Sequence, residues 1–251
     1  MGDKFVTPGS WLYTGIVLAG ILIGSYFWSR RWKSHPEAFP IFIGAICGAF
    51  FGAKIMFLFA EGWFYWTELD RWIRWVSGKS IIGALLGGYA GVEITKWWIG
   101  HRGATGDWFA VGVPLSIAVG RVGCWHNQCC LGMPVPGESA FSLPGSDGIG
   151  RWPAVPLELG FNLLFVSAIL PIVRRGAGQG QLFHLYLITY GLFRFWHEGF
   201  RETPKWIGEL SGYQLGALAL VALGAVRGWQ RHWISQAGKD DPPDKCASGA
   251  E

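Results

Sequence analysis

Five ionisable residues stand inside or at the end of stretches that are otherwise apolar: Lys54, Glu93, Arg121, Arg194 and Glu198. At membrane depth such a group costs at least about 2.5 kcal/mol on insertion scales, so each asks for a partner or a ligand. Arg121 is flanked by Gly120 and Gly123, which remove side chains and leave room for backbone or ligand beside the guanidinium. A planar, permanently charged fork suits a bulky anion such as a lipid phosphate. The glycine pair and nearby Asn127 exceed what an arginine snorkelling to the interface needs. Farther on, Tyr186, Tyr190, Arg194 and Glu198 recur every four residues, and Arg201 follows by three. On a helix they form one polar stripe within an apolar segment. Either Arg194 and Glu198 pair to hold helices together, or Glu198 orients Arg194 while Arg194 holds substrate; both can be true together. Lys54 reads as a substrate contact or as the partner of Glu93, while Glu93 and Lys96 read as structural.

Thiols form a second constellation. Of five cysteines, Cys47 lies in an apolar helix and reads as packing, and Cys246 lies in the tail. Cys124, Cys129 and Cys130 cluster around His126, in a spacing that matches no standard zinc pattern. Three readings stay open: a disulfide from Cys124 to Cys129 or Cys130, a thiolate favoured by the Arg121 charge, and a metal site.

The elements that must position these groups are membrane spans. The 251 residues are 51% hydrophobic, 16% aromatic and only 15% charged, with 16 Trp. Soluble domains carry about 25% charged residues, so a cytosolic enzyme, a disordered chain and a disulfide-rich secreted module are excluded. No basic run suggests a nucleic-acid groove, and no cofactor or metal is expected. Seven apolar stretches cover 11–28, 39–60, 81–99, 108–122, 157–173, 182–195 and 213–226, the fourth and sixth being short. The expectation is an all-α integral membrane protein of about seven helices. The first stretch reads as an uncleaved anchor, since Arg30, Arg31 and Lys33 follow it and no small-residue cleavage site does. Those cations belong in the cytoplasm, which puts the amino terminus outside and the carboxyl terminus inside. Residues 1–234 form one transmembrane domain, 133–153 an outer loop rich in Pro and Gly and long enough to fold over a site, and 235–251 a disordered cytoplasmic tail. Small residues at 49–53 and 83–88 suit close helix contact.

Taken together, these motifs resemble the prolipoprotein diacylglyceryl transferase family through most of the chain. Gly120-Arg121-Val-Gly123 with Asn127 and Gly132 is similar to its glycine–arginine–asparagine signature. The segment from Pro153 to Glu158, with Asn162, resembles its entry into the next helix. Tyr186, Tyr190-Gly191, Arg194, Glu198 and Arg201 resemble its tyrosine-rich helix, Gln214 the start of its last helix, Gly52-Ala-Lys54 its Gly-Ala-Arg, and Tyr13 a tyrosine of its first helix.

The resemblance implies a seven-helix bacterial inner-membrane enzyme. Its reaction moves diacylglyceryl from phosphatidylglycerol to the thiol of a lipobox cysteine in a preprolipoprotein and releases glycerol phosphate. Arg121, Arg194 and Glu198 would be catalytic. Tyr13, Lys54, Gly120, Gly123, Asn127, Tyr190 and Arg201 would contact substrate, with glycine-rich spans opening toward lipid for the acyl chains. Three departures stand out: Ile82-Gly83-Ala84 occupies the place of a family His-Gly-Gly, Cys124 that of an Asn, and Cys129 that of an acid. Lys79, Ser80 and His126 are candidates to replace the missing histidine. Two other classes compete: a membrane thiol-redox or metal-handling protein built around the three cysteines, and a non-catalytic lipid-binding protein.

Overall fold

The structure is a computed structural model that describes residues 35–69, 71–127, 130, 132–135, 142–144 and 148–240, with isolated positions between 15 and 30. Most of the expected first span (11–28), Tyr13, Cys129 and the end of the tail lie outside the described residues.

The described chain is mostly helical. Its helices are α1 (Ala38–Ala60), α2 (Arg71–Ser77), α3 (Ile81–Trp98), α4 (Gly106–His126), α5 (Ala154–Arg174), α6 (Leu182–His197) and α7 (Gly212–Asp240). Three-residue or four-residue 3-10 turns follow α1 at Gly62–Tyr65 and α6 at Glu198–Phe200. Two small antiparallel ribbons interrupt the helices: β1 (Leu143–Pro144) with β2 (Gly150–Arg151), and β3 (Lys205–Ile207) with β4 (Leu210–Ser211). The helix α7 runs on to Asp240, past the boundary of 234 expected for the tail.

Among the described residues, three helical stretches are long and apolar enough to cross a membrane: Ala38–Ala60, Phe109–His126 and Ala154–Arg174. The 23 residues of α1 extend about 34 Å, more than the roughly 30 Å of a hydrocarbon core. Large side chains of α1 and α5 are exposed: Phe51 is 63% exposed, Ile55 67% and Leu164 72%. A protein in water would bury such a surface. By contrast, α6 has 16 residues, reaches only about 24 Å, and carries the polar stripe.

Helix ends are set by side chains. Ser211 and Gln214 exchange bonds, Gln214 N–H to Ser211 Oγ at 3.2 Å and Ser211 N–H to Gln214 Oε1 at 2.9 Å, a capping box that starts α7. Ser80 Oγ accepts the Gly83 N–H at the start of α3. Asp107, in the first turn of α4, accepts the Gly180 and Leu182 N–H groups and so caps α6 from a neighbouring helix.

The helices pack mainly in three pairs, α1 with α3, α4 with α5 and α6 with α7. Between α1 and α3 the backbones nearly touch. A Cβ on Gly48 would strike the Gly87 carbonyl, one on Gly52 the Gly83 carbonyl, and one on Gly91 the Gly44 carbonyl. These glycines close the seam between α1 and α3, whereas a Cβ on Gly112, Gly120 or Gly160 would meet nothing within 4 Å. The buried centre is aromatic: Tyr186 and Tyr190 are fully enclosed, with Leu187, Leu220, Ile169 and Ala110 around them.

Candidate active site

Glu158 is where the chemistry-bearing residues meet. It lies one turn into α5, is 1% exposed, and receives both arginines singled out by the sequence. Arg121 Nη2 from α4 sits 2.8 Å from Glu158 Oε2, and Arg194 Nη1 from α6 sits 3.3 Å from the same oxygen. The other oxygen, Oε1, accepts the Tyr190 hydroxyl at 2.7 Å. Arg194 Nη2 continues the chain to Glu198 Oε2 at 2.6 Å, so the i to i+4 stripe forms as its spacing predicts. His197 Nδ1 lies 3.3 Å from Arg194 Nη1. One turn back, Tyr186 donates to Asn162 Oδ1 at 2.8 Å, and Asn162 Nδ2 donates to the Glu158 carbonyl at 2.8 Å.

The cluster alternates in sign, Arg121, Glu158, Arg194, Glu198. Such a buried chain is tolerable because each charge faces an opposite one at hydrogen-bond distance. It is nevertheless incompletely satisfied among the described residues. Arg121 Nε, Arg194 Nε, His197 Nε2 and Glu198 Oε1 are buried with no hydrogen-bond partner. Buried polar atoms normally find partners, and exceptions concentrate where a ligand or a reaction needs them.

Arg201, half-buried, extends the cluster toward the end of α6, and its Nε too is buried without a partner. The loop after α4 returns over this end. Met133 N–H bonds to the Phe200 carbonyl at 2.9 Å, and Trp152 stacks on Phe200 at 4.3 Å. Gly132 is required there, because a Cβ would meet the Trp152 backbone.

The other expected residues fall as follows. Gly120 and Gly123 stand on α4 on either side of Arg121; a Cβ on Gly120 would meet open space, and Gly123 is buried. Asn127 ends α4, its N–H bonded to the Gly123 carbonyl. Arg121 Nη1 donates to Cys124 Sγ at 3.8 Å. Of the readings left open for the thiols, a Cys124–Cys130 disulfide is not formed. Cys130 is exposed and holds a left-handed backbone, φ 59°, which a non-glycine residue adopts at a cost. Among the described residues no three His, Cys, Asp or Glu side chains converge as a metal site.

Lys54 departs from one expectation. It does not pair with Glu93: its Nζ donates to the Trp75 and Gly78 carbonyls at 2.9 Å each and to that of Val76, holding the end of α2. Glu93 pairs instead with Lys96 and Arg227. Ser80, a candidate for the missing histidine's role, spends its hydroxyl on the α3 cap.

The residue that sequence reasoning undervalued is Glu158, noted only as part of a helix entry. A signal existed, since a lone acid near the start of a run such as 157–173 needs a cation, and Arg121 and Arg194 were at hand in other apolar stretches. Glu61 was missed altogether. It follows the last residue of α1, and electrostatically it faces Arg201, Glu198 and Cys130 while taking a hydrogen bond from Tyr213.

A helical protein with apolar outer surfaces and a buried, polyionic arginine–glutamate centre belongs to the class of membrane-embedded proteins that handle charged groups at membrane depth. Comparison with known sequences narrows the class. A profile of the prolipoprotein diacylglyceryl transferase family matches residues 10–229, and the chain belongs to that family. Three relatives are each named phosphatidylglycerol–prolipoprotein diacylglyceryl transferase. The protein of Leifsonia xyli subsp. xyli is 30% identical, covering 85% of this chain and 72% of the relative. That of Symbiobacterium thermophilum is 28% identical, covering 88% of each. That of Photobacterium profundum is 31% identical, covering 85% and 86%.

Proposed function

We propose that this chain transfers a diacylglyceryl group from phosphatidylglycerol to the cysteine thiol of a lipobox-containing preprolipoprotein and releases glycerol phosphate. It does so as a seven-span protein of the bacterial inner membrane, amino terminus outside. The observation that carries the reading is the convergence of Arg121 and Arg194, 73 residues apart in sequence, on one buried carboxylate oxygen. Glu158 holds the two guanidiniums close together against their mutual repulsion. Their unpartnered Nε groups remain to receive a phosphate.

In the reaction the acceptor sulfur attacks the glycerol carbon bound to the phosphate oxygen. The S–C bond forms as the C–O bond breaks, and the electron pair leaves on the phosphate. Arginines fixed before the reaction stabilise that charge without reorganising. Glu198 and Glu158 orient Arg194, and Tyr190 fixes Glu158. The relatives' names bring the two substrates to this chain.

The test is release of glycerol phosphate from labelled phosphatidylglycerol by purified protein and a lipobox peptide. The expected result is turnover by the wild type and a loss of about 10²-fold or more in Arg194→Lys, which keeps the charge but not the fork. No release beside an active positive control overturns the reading.

A further inference from the structure

A carboxylate at the carboxyl end of a helix is electrostatically misplaced. Helix carbonyls give that end partial negative charge, and cations are the stabilising residues there. Glu61 nevertheless caps α1, a helix of 23 residues with no basic side chain in its last turn. Glu61 makes no ion pair among the described residues, whereas Glu158 and Glu198 are both locked to Arg194. It is half-buried at the rim of the cluster, where it faces Arg201 and Glu198 beyond α6, Cys130 in the loop after α4, Tyr213 of α7 and Tyr65 of the 3-10 turn. Beside it the wholly buried Glu198 keeps Oε1 unpartnered.

This arrangement gives Glu61 what the other two acids lack. Glu158 and Glu198 are both held by Arg194 in buried ion pairs. Glu61 has no such partner among the described residues, and burial together with the neighbouring Glu198 raises its proton affinity against the pull of Arg201. Packing places Glu61 at this rim: Ala60, beside it in sequence, lies against Gly212 and Tyr213 at the start of α7, and Gln214 in the same turn donates to the Phe195 carbonyl of α6 at 3.3 Å.

We propose that Glu61 is a further catalytic residue, the general base that takes the proton of the acceptor thiol as the sulfur attacks the lipid. The S–H bond breaks, the proton goes to a Glu61 oxygen, and the sulfur lone pair forms the bond to the glycerol carbon. The C–O pair departs with the phosphate, and Glu61 returns the proton to water or to the released phosphate. The inference rests on the transferase reading above.

The experiment follows glycerol phosphate release from phosphatidylglycerol with a lipobox peptide between pH 6.5 and 9.5, comparing wild type with Glu61→Gln and Glu61→Ala. An ordinary thiol ionises near 8.5. A missing base therefore matters most below that pH. We expect kcat of E61Q to fall about 10²-fold at pH 7 with KM for the lipid unchanged, and to recover with the thiolate fraction, roughly eightfold from pH 7 to 8 and about threefold more from 8 to 9. Acetate or formate in the medium should restore turnover to E61A, which also shows that the variant is folded. Wild-type turnover with an unaltered E61Q profile overturns the base. So does a loss equal at every pH with no rescue. A wild type that releases no glycerol phosphate overturns the transferase reading and this inference together.

Discussion

Glu158 ties three helices through one side chain, because Arg121, Arg194 and Tyr190 all reach it. Removing its charge leaves two buried guanidiniums facing each other. Glu158→Gln should therefore cost about 3–5 kcal/mol of stability, read as a lowered thermal midpoint in detergent. Adding Arg121→Met should recover part of that loss, since the pair belongs to one network and its effects do not add. Tyr190→Phe removes only the hydroxyl donor and should cost about 1–3 kcal/mol while leaving the arginines paired. The stripe of Tyr186, Tyr190, Arg194 and Glu198 was legible because helical periodicity puts residues four apart on one face. Its meeting with Glu158 was not, because the partner is 36 residues away and no local spacing encodes a tertiary contact. The Lys54 partner was illegible for another reason: it is a set of backbone carbonyls, which every sequence possesses.

At the scale of the elements, six of the expected apolar stretches correspond to helices α1 and α3–α7, and their boundaries differ for identifiable reasons. The fourth, expected at 108–122, spans Gly106–His126. Asp107 is not a break but a cap for α6, and the polar residues after Val122 continue the helix toward the site. The small-residue stretches do make the closest seam, and glycine there is a packing necessity. Gly87→Val should drive a side chain into the Gly48 carbonyl and separate α1 from α3, giving aggregated protein on size exclusion. Gly120 is the opposite case. Nothing lies within 4 Å of a Cβ there, so Gly120→Ala should stabilise α4 by up to about 1 kcal/mol. If lipid approaches Arg121 across Gly120, the same variant loses turnover, and a gain of stability with a loss of kcat/KM separates substrate approach from packing.

Over the whole molecule, polar side chains gather at two levels. Glu61, Cys130, Glu198, Arg201 and Tyr213 meet at one. Glu93, Lys96, Tyr89, His184 and Arg227 meet at the other, where Arg227 bonds both Tyr89 and Glu93 and His184 meets Tyr89. Apolar lengths of α1, α3 and α7, and α6 with its polar stripe, lie between the two groups. On the topology proposed above, in which the chain crosses back and forth from α1 to α7, the first group would lie at the outer face of the membrane and the second at the cytoplasmic face. The orientation has a direct test. In a chain with its five cysteines changed to serine, Glu209→Cys and Gln179→Cys add one thiol each at exposed positions between α6 and α7 and between α5 and α6. A membrane-impermeant maleimide applied to intact spheroplasts should label the first and spare the second until the membrane is opened. The reverse labelling inverts the topology, and labelling of both before opening removes α6 from the list of spans. At about 24 Å, α6 is the helix for which that outcome matters most, because its polar stripe is affordable only where neighbouring helices, rather than lipid, surround it.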